Sequence, residues 1–526
     1  MRHRLYRFAF LLFALNAHAQ NPIVQSPSGA LEGKDMSGVH AFLGVPYAQP
    51  PVGELRWKAP QPLSPWEGTR SATEFGAQAM QLPLYGDMNF RAPSMSEDCL
   101  YLNIWKPTFG DQFPVLVYFY GGGFQAGDGS EPRYDGESMA RNGIIAITVN
   151  YRLGAFGFFS HPELEKNNAG NQGLMDQQAA LRWVYENISA FGGDPNAITI
   201  AGESAGSMSV SLQLASPGSK PYIARAIGES GSVLGKIFGR DVVIPLKDAQ
   251  AKGLEFQEKC NVNSLAELRA IPADELLKLS EGYAVSMTVD GEFMPKNPIN
   301  IYERGKQAQV PLLLGWNSQE MTPLALTQGQ EPTMELMIAS CDLFFGKQSN
   351  DLLEAYLNTC DGQVLQAMTD LSGDLFLGYP SWIWGQLHLS ANQPIYQYYY
   401  KRPRPAMRPE FGNVRAGLAG GIVEGEENTP PPPPDAGAVH SAEIEYCLGN
   451  LGSNRVFDWQ EDDYRISELM QQQFVNFIKT GNPNGPTVPT WNTKQSGHTM
   501  MIDRASGQVE EYREARYELV HKALNP

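Results

Sequence analysis

Gly202-Glu203-Ser204-Ala205-Gly206 is the group of residues in this chain whose types and spacing point most directly to chemistry. A serine with glycine two residues to either side fits a tight turn that lifts its hydroxyl clear of the backbone. The flanking sequence agrees. Ala197-Ile198-Thr199-Ile200 has the composition of a buried strand, and a helical stretch runs on from Ala205. A serine between strand and helix is placed to attack a carbonyl, and the helix N-terminus behind it favours the negative charge that develops. In a chain with 52 glycines the pentapeptide alone would mean little; its context gives it weight.

A serine hydroxyl is a weak nucleophile and needs a base, usually a histidine oriented by a carboxylate. For a serine on such a turn the expected chain order is serine, acid, histidine. Of the eight histidines, His3 and His18 fall in the first residues, His40 and His161 precede the serine, His388 lies in an apolar stretch, and His498 and His521 lie in the tail. His440 remains as candidate base, between a glycine-containing loop and an apolar segment in Ala436-Gly437-Ala438-Val439-His440-Ser441-Ala442-Glu443. Glu320 is the best-placed acid, just past the strand-like Val310–Leu314; Asp290 and Asp374 are the alternatives. Acyl transfer also needs donors for an oxyanion. Gly121-Gly122-Gly123-Phe124 ends an earlier apolar run, so Gly122 and Gly123 are candidate donors together with the amide of Ala205. This chemistry calls for no metal and no cofactor.

The elements that must hold these residues alternate. Val115–Tyr120, Ile144–Val149, Ala197–Ile200 and Val310–Leu314 read as buried strands. Gln172–Phe191 and the stretch from Ala205 read as helices, and a last helix over Ile466–Lys479 stops at Thr480-Gly481-Asn482-Pro483. Alternation of this kind predicts an α/β protein with a large, mostly parallel central sheet flanked by helices. Phe158 and Phe159 could line an acyl pocket, but core packing is the favoured reading.

The chain has 526 residues, 42% of them hydrophobic and 18% charged, enough for a sizeable core. No repeat or linker divides it, so residues 20–526 are expected to form one domain. A formal charge of −17 argues against binding nucleic acid or an anionic membrane through the bulk field. Arg2, Arg4 and Arg7, the apolar run Phe8–Leu15 and Ala17-His18-Ala19 read as a signal peptide over 1–19, cleaved near Ala19, and imply a secreted or periplasmic protein with no membrane anchor after cleavage. Cys99, Cys260, Cys341, Cys360 and Cys447 are too few for a disulfide scaffold and show no metal-ligand spacing; only Cys341 and Cys360 are close enough in sequence to suggest a pair. Residues 402–435, rich in Pro, Gly and Glu and containing Pro430–Pro434, cannot join a sheet interior and read as a surface segment.

At this point the chain resembles the type-B carboxylesterase family, the cholinesterase-like branch of the α/β-hydrolases. The resemblance runs from about Val24 to Tyr512 and rests on ordered motifs: Phe42-Leu43-Gly44-Val45-Pro46-Tyr47-Ala48, Leu55-Arg56-Trp57, Ser96-Glu97-Asp98-Cys99-Leu100-Tyr101-Leu102-Asn103, Tyr118 to Phe124, Asn150-Tyr151-Arg152, Gly170 to Gln177 and Phe191-Gly192-Gly193-Asp194-Pro195. It implies hydrolysis of small carboxylic esters, with Ser204 as nucleophile, Glu320 as acid, His440 as base, and Gly122, Gly123 and Ala205 as oxyanion donors. It further implies that Ser230 lies behind the acid, that Glu203 is an acidic neighbour of the nucleophile, and that Arg56 and Glu97 form a structural ion pair. The chain also departs from the pattern. Gln319-Glu320-Met321 stands where an acidic pair and glycine are usual, Ala79 replaces the partner of Cys99, and residues 81–97 hold no tryptophan, which argues against a cholinesterase. The 402–435 segment looks longer than the family's connection before the histidine and is expected to border the active-site mouth. An amidase or thioesterase on the same triad is the alternative activity. A non-catalytic binding protein would typically lose the nucleophile, whereas Ser204, Glu320 and His440 are all present.

Overall fold

A computed structural model describes residues 21–164, 170–412, 414–423 and 437–525. Residues 1–19, read above as a signal peptide, and Pro430–Pro434 lie outside the described residues. Eleven strands make the central sheet: β1 Lys34–Asp35, β2 Val39–Pro46, β3 Tyr101–Pro107, β4 Phe113–Phe119, β5 Ile145–Val149, β6 Gly193–Glu203, β7 Arg225–Glu229, β8 Leu312–Asn317, β9 Ile395–Tyr400, β10 His498–Ile502 and β11 Gly507–Glu510. Across the sheet they run β11-β10-β9-β8-β7-β6-β4-β5-β3-β2-β1. Every pairing from β10 through to β5 is parallel, and both edges are closed by antiparallel strands.

Parallel strands need crossover helices, which cover both faces of the sheet, so their sequences are continuously apolar rather than alternating. All residues of β5, β8 and β9 are buried. In β9, Ile395-Tyr396-Gln397-Tyr398-Tyr399-Tyr400, this leaves no period-two pattern to mark a strand. The helices behind the centre are α1 Gln172–Asn187 and α2 Ala205–Ala215. All eleven residues of α2 are buried, and its serines satisfy their hydroxyls on backbone carbonyls: Ser207 on Gly231, Ser209 on Ala205 and Ser211 on Met208.

The last long helix, α3 Glu461–Thr480, starts before the apolar spacing does. Its first turn is Glu461-Asp462-Asp463, and a capping box joins Gln460 to Asp463, so acidic residues open the helix where periodicity is silent. It ends at Gly481 in the left-handed region, as its sequence indicates.

Two buried ion pairs tie loops to this frame. Arg152, after β5, holds Asp176 of α1 through two side-chain bonds of 2.8 and 2.7 Å. Arg56 and Glu97 pair at 2.7 and 2.6 Å, the structural bridge the resemblance implies. Phe158 and Phe159 are core residues. All five cysteines are buried free thiols, so Cys341 and Cys360 do not pair. Among the described residues no helix is long and apolar enough to cross a membrane. In the 402–435 segment, Arg415–Ala416 and Ile422–Val423 form a short antiparallel hairpin.

Candidate active site

Ser204 sits between β6 and α2 with φ 58° and ψ −121°, a conformation that L-residues rarely adopt. Its neighbours force and hold it. A side chain on Gly202 would come within 2.6 Å of Gly206 and of the Phe119 carbonyl, and one on Gly206 would collide with that same carbonyl. The Ser204 amide donates to the Glu229 carbonyl at 2.9 Å. The two glycines of the pentapeptide are therefore where β6, α2 and β4 meet.

The turn after β4 closes over this serine. A Cβ on Gly121 would lie 3.1 Å from Cβ of Ser204, so a side chain there would fill the approach to the hydroxyl. Gly122 and Gly123 have φ +117° and +63°. The Gly122 carbonyl accepts the amides of Gln125 and Ala126 at 3.0 and 3.1 Å, which turns it into the loop. Ala205 opens α2, where the first amides have no carbonyl partner within the helix. Tyr85 and Met88 come closest to Gly123 and Gly122 from the opposite loop.

Glu320 and His440 are 120 residues apart in sequence, and the structure brings them together. Glu320 follows β8, where the Asn317 amide donates to its Oε1 at 2.6 Å. Its loop then pairs with the histidine's: the Gln319 amide reaches the Ala438 carbonyl at 2.8 Å, Gly437 donates to Oε1 of Gln319, and Ala438 donates to Oγ of Ser318. Gln319, in place of an acid, thus works as a hydrogen-bonding splint. Nδ1 of His440 lies 2.7 Å from Oε2 of Glu320, and Nε2 lies 3.2 Å from Oε1 of Glu203. The ring meets Phe376 edge to face. Asp290 and Asp374 have other partners: Asp290 holds Asn171 and Met294, and Asp374, although near Glu320, holds Tyr356, Tyr517 and Arg516. His388 is buried against the Val310 carbonyl and pushed down to about 4 by that burial.

The charges around His440 compete. Burial disfavours the imidazolium, but Glu203, the hydrogen bond and charge of Glu320, and Glu443 together outweigh it and raise His440 to about 9. Burial also raises Glu203, partly offset by His440 and Arg133. Two further buried acids stand near. Glu229 is raised to about 7 by burial, and Glu443 well above its ordinary value by burial and by the charges of Glu203 and Glu320. Ser230, at φ +55°, donates to Oε1 of Glu443 at 3.1 Å; Glu443 in turn accepts Nδ2 of Asn317, whose amide holds Glu320. Ser230 therefore stands behind the acid by way of Glu443 and Asn317. Neither of those two is visible from motif spacing alone, although Glu443 lies three residues beyond His440 on the same turn.

Such a sheet, with a strained serine at the end of a central strand and a buried histidine–carboxylate pair on later loops, defines an α/β-hydrolase. The chain belongs to the carboxylesterase family, whose model matches residues 20–520. It is 31% identical over 502 residues to para-nitrobenzyl esterase of Bacillus subtilis, covering 91% of this chain and 94% of that one. It is 30% identical over 489 residues to fumonisin B1 esterase of Sphingopyxis macrogoltabida, covering 88% and 83%. A solved structure of PNB esterase superposes with a TM-score of 0.79 at 29% identity over 95% of this chain and 99% of that one, and a Geobacillus stearothermophilus carboxylesterase with 0.78 at 28% over 94% and 99%. The protein is a carboxylic-ester hydrolase.

Proposed function

We propose that this hydrolase works through an acyl-enzyme on Ser204, with His440 as base and Glu320 as the acid that orients it. The 2.7 Å contact between Nδ1 of His440 and Glu320 carries this reading, because it orients the ring and makes Nε2, which also faces Glu203 at 3.2 Å, the nitrogen that takes the serine's proton. Ser204 Oγ attacks the ester carbonyl and its proton passes to Nε2; the carbonyl oxygen becomes an oxyanion facing the amides of Gly122, Gly123 and Ala205. The intermediate collapses, the C–O bond to the alcohol breaks, and His440 returns the proton to the departing alkoxide. Water, deprotonated by His440, then attacks the acyl-enzyme, and the acid leaves as Ser204 regains its proton.

The substrate reading follows from a cavity of about 480 Å³. Its walls are mainly apolar, with Leu82, Leu84, Phe156 and Leu277, while Gln125, Tyr283 and Glu281 supply polar groups at its side. Gln125 stands two residues past Gly123, at most ~7 Å of chain, and Leu84 adjoins Tyr85, whose hydroxyl faces Gly123. An apolar space this close to the oxyanion turn suits an ester with an extended apolar arm. The 402–435 segment is read as bordering the mouth and influencing which esters enter. Residues 20–526 are read as one domain, exported with loss of 1–19.

The test is hydrolysis of nitrophenyl esters from acetate to octanoate by the full chain beside Ser204→Ala. Loss of turnover in the variant supports the serine mechanism; retained turnover defeats it. Matched ester and anilide substrates separate esterase from amidase.

A further inference from the structure

The hairpin inside the 402–435 segment makes two sets of contacts that the reaction above does not use, one at the residue after His440 and one at the loop that approaches the glycine turn. At its tip the Leu418 carbonyl accepts the hydroxyl of Ser441 at 2.6 Å and Nη1 of Arg404 at 3.1 Å. Ser441 follows His440 directly. It is buried, holds φ +65°, and its carbonyl accepts Nη2 of the same Arg404 at 3.3 Å. Arg133 donates to its hydroxyl oxygen from the other side at 3.3 Å. The Leu418 side chain is 46% exposed, so its backbone rather than its side chain is turned inward.

On the other flank, the Gly421 amide donates to Oδ2 of Asp87 at 3.3 Å. A side chain on Gly417 would collide with the Asp87 side chain, and one on Gly421 with the Asp87 carbonyl. The two glycines are thus required for the hairpin to lie flush on this residue. Asp87 is itself buried, between Tyr85 and Met88, the residues that face Gly123 and Gly122. Asn454 fixes the Gly420 carbonyl at 2.9 Å and binds Glu445 at 3.0 Å, and Glu445 pairs with Arg404, so the tip is anchored through the same arginine as well.

We propose that the 415–423 hairpin is a clasp that sets the distance between the base and the oxyanion turn, with Ser441 and Asp87 as its two positioning residues. A non-glycine residue at positive φ persists only where its surroundings hold it. At Ser441 those surroundings are Leu418, the arginine that Leu418 shares with it, and Arg133. If the clasp is removed, the peptide after His440 loses the Leu418 bond, the shortest of these, and the imidazole is held less closely in register with the glycine turn. Positioning errors of this kind lower turnover far more than ground-state binding.

The inference rests on His440 being the base, and the experiment separates the two claims. Ser441→Ala removes one side of the clasp. Replacing Gly417–Gly421 by Asn-Gly, a two-residue turn that keeps both strands paired, removes the Leu418 contact to Ser441 and the Gly421 contact to Asp87 together. Ser441→Ala is expected to lower kcat on nitrophenyl acetate about three- to tenfold, the scale of one buried hydrogen bond, and the turn replacement at least as much, with KM within about twofold in both. Because the turn replacement already removes the Leu418–Ser441 bond, Ser441→Ala should cost less in that background than in the wild type. Effects that multiply, or kcat values equal to wild type in both single variants, overturn the clasp. Thermal melting of each variant shows whether the chain is folded. Ser204→Ala and His440→Ala, assayed alongside, report on the parent mechanism: if these retain turnover, that mechanism fails whatever the clasp variants do.

Discussion

Nε2 of His440 faces Oε1 of Glu203 at 3.2 Å, while Glu320 already occupies the other ring nitrogen. The imidazole is thus held between two carboxylates inside the protein. In the proposed mechanism the imidazolium that forms when the serine gives up its proton meets negative charge on both edges, an arrangement that would stabilise the transition state and also favours a protonated resting base.

Glu203→Gln should therefore move the pH profile. The base must be neutral to act, so activity rises as pH passes through the His440 value of about 9. Removing the Glu203 charge lowers that value, and the ascending limb of kcat/KM should shift toward lower pH. A profile that stays in place would show that Glu203 does not set the protonation of His440.

The same raised value makes His440 a pH-dependent source of stability. The contribution is complete below the ordinary histidine value of ~6.5 and is lost as pH rises through about 9. Denaturant midpoints of the wild type should fall across that window more than those of His440→Ala. Equal slopes would count against the ion pairing.

Glu320→Gln keeps a hydrogen-bond acceptor beside Nδ1 but removes its charge. Loss of the group that orients and stabilises the imidazolium should lower kcat by about 10²–10⁴-fold with little change in KM. A loss under tenfold would move the role of acid to Glu203.

Asp176→Asn tests the frame rather than the chemistry. Both partners of the Arg152–Asp176 pair are buried, so cutting it leaves an unpaired guanidinium in the interior. Unfolding free energy should fall by about 3–5 kcal/mol, seen as a lower urea midpoint. A midpoint near that of the wild type would mean that water or the Lys58 carbonyl, which Arg152 also contacts, compensates.

The residues of the proposed triad were legible because the constraint that finds them lies in one dimension: a glycine-flanked serine, then an acid after a strand, then a histidine. The surrounding network was not. Glu443 is three residues from His440, yet its partner Ser230 is 213 residues away, and only the sheet brings Asn317 between Glu443 and Glu320. The strand Ile395–Tyr400 was hidden because burial on both faces erases alternation, and the start of the Glu461–Thr480 helix because its first turn is acidic. In the Pro-rich segment, Gly417 and Gly421 read as loop composition. The structure shows them as contacts, since what makes glycine necessary there is the approach of Asp87.

Leu84→Asp probes the apolar cavity. Leu84 is 51% exposed at the cavity wall, so the change should leave the fold intact while placing a charge where an apolar arm would lie. Each methylene that enters an apolar site adds about 0.8 kcal/mol, roughly fourfold in kcat/KM. Wild type should accordingly gain with chain length from acetate towards octanoate until the cavity is full, and Leu84→Asp should flatten that rise, depressing octanoate far more than acetate. If the two profiles keep the same slope, the arm of the substrate lies elsewhere. A parallel series of acetate esters from ethanol to octanol then decides whether acyl or alcohol occupies the space, because only the series whose arm enters the cavity should respond to the charge.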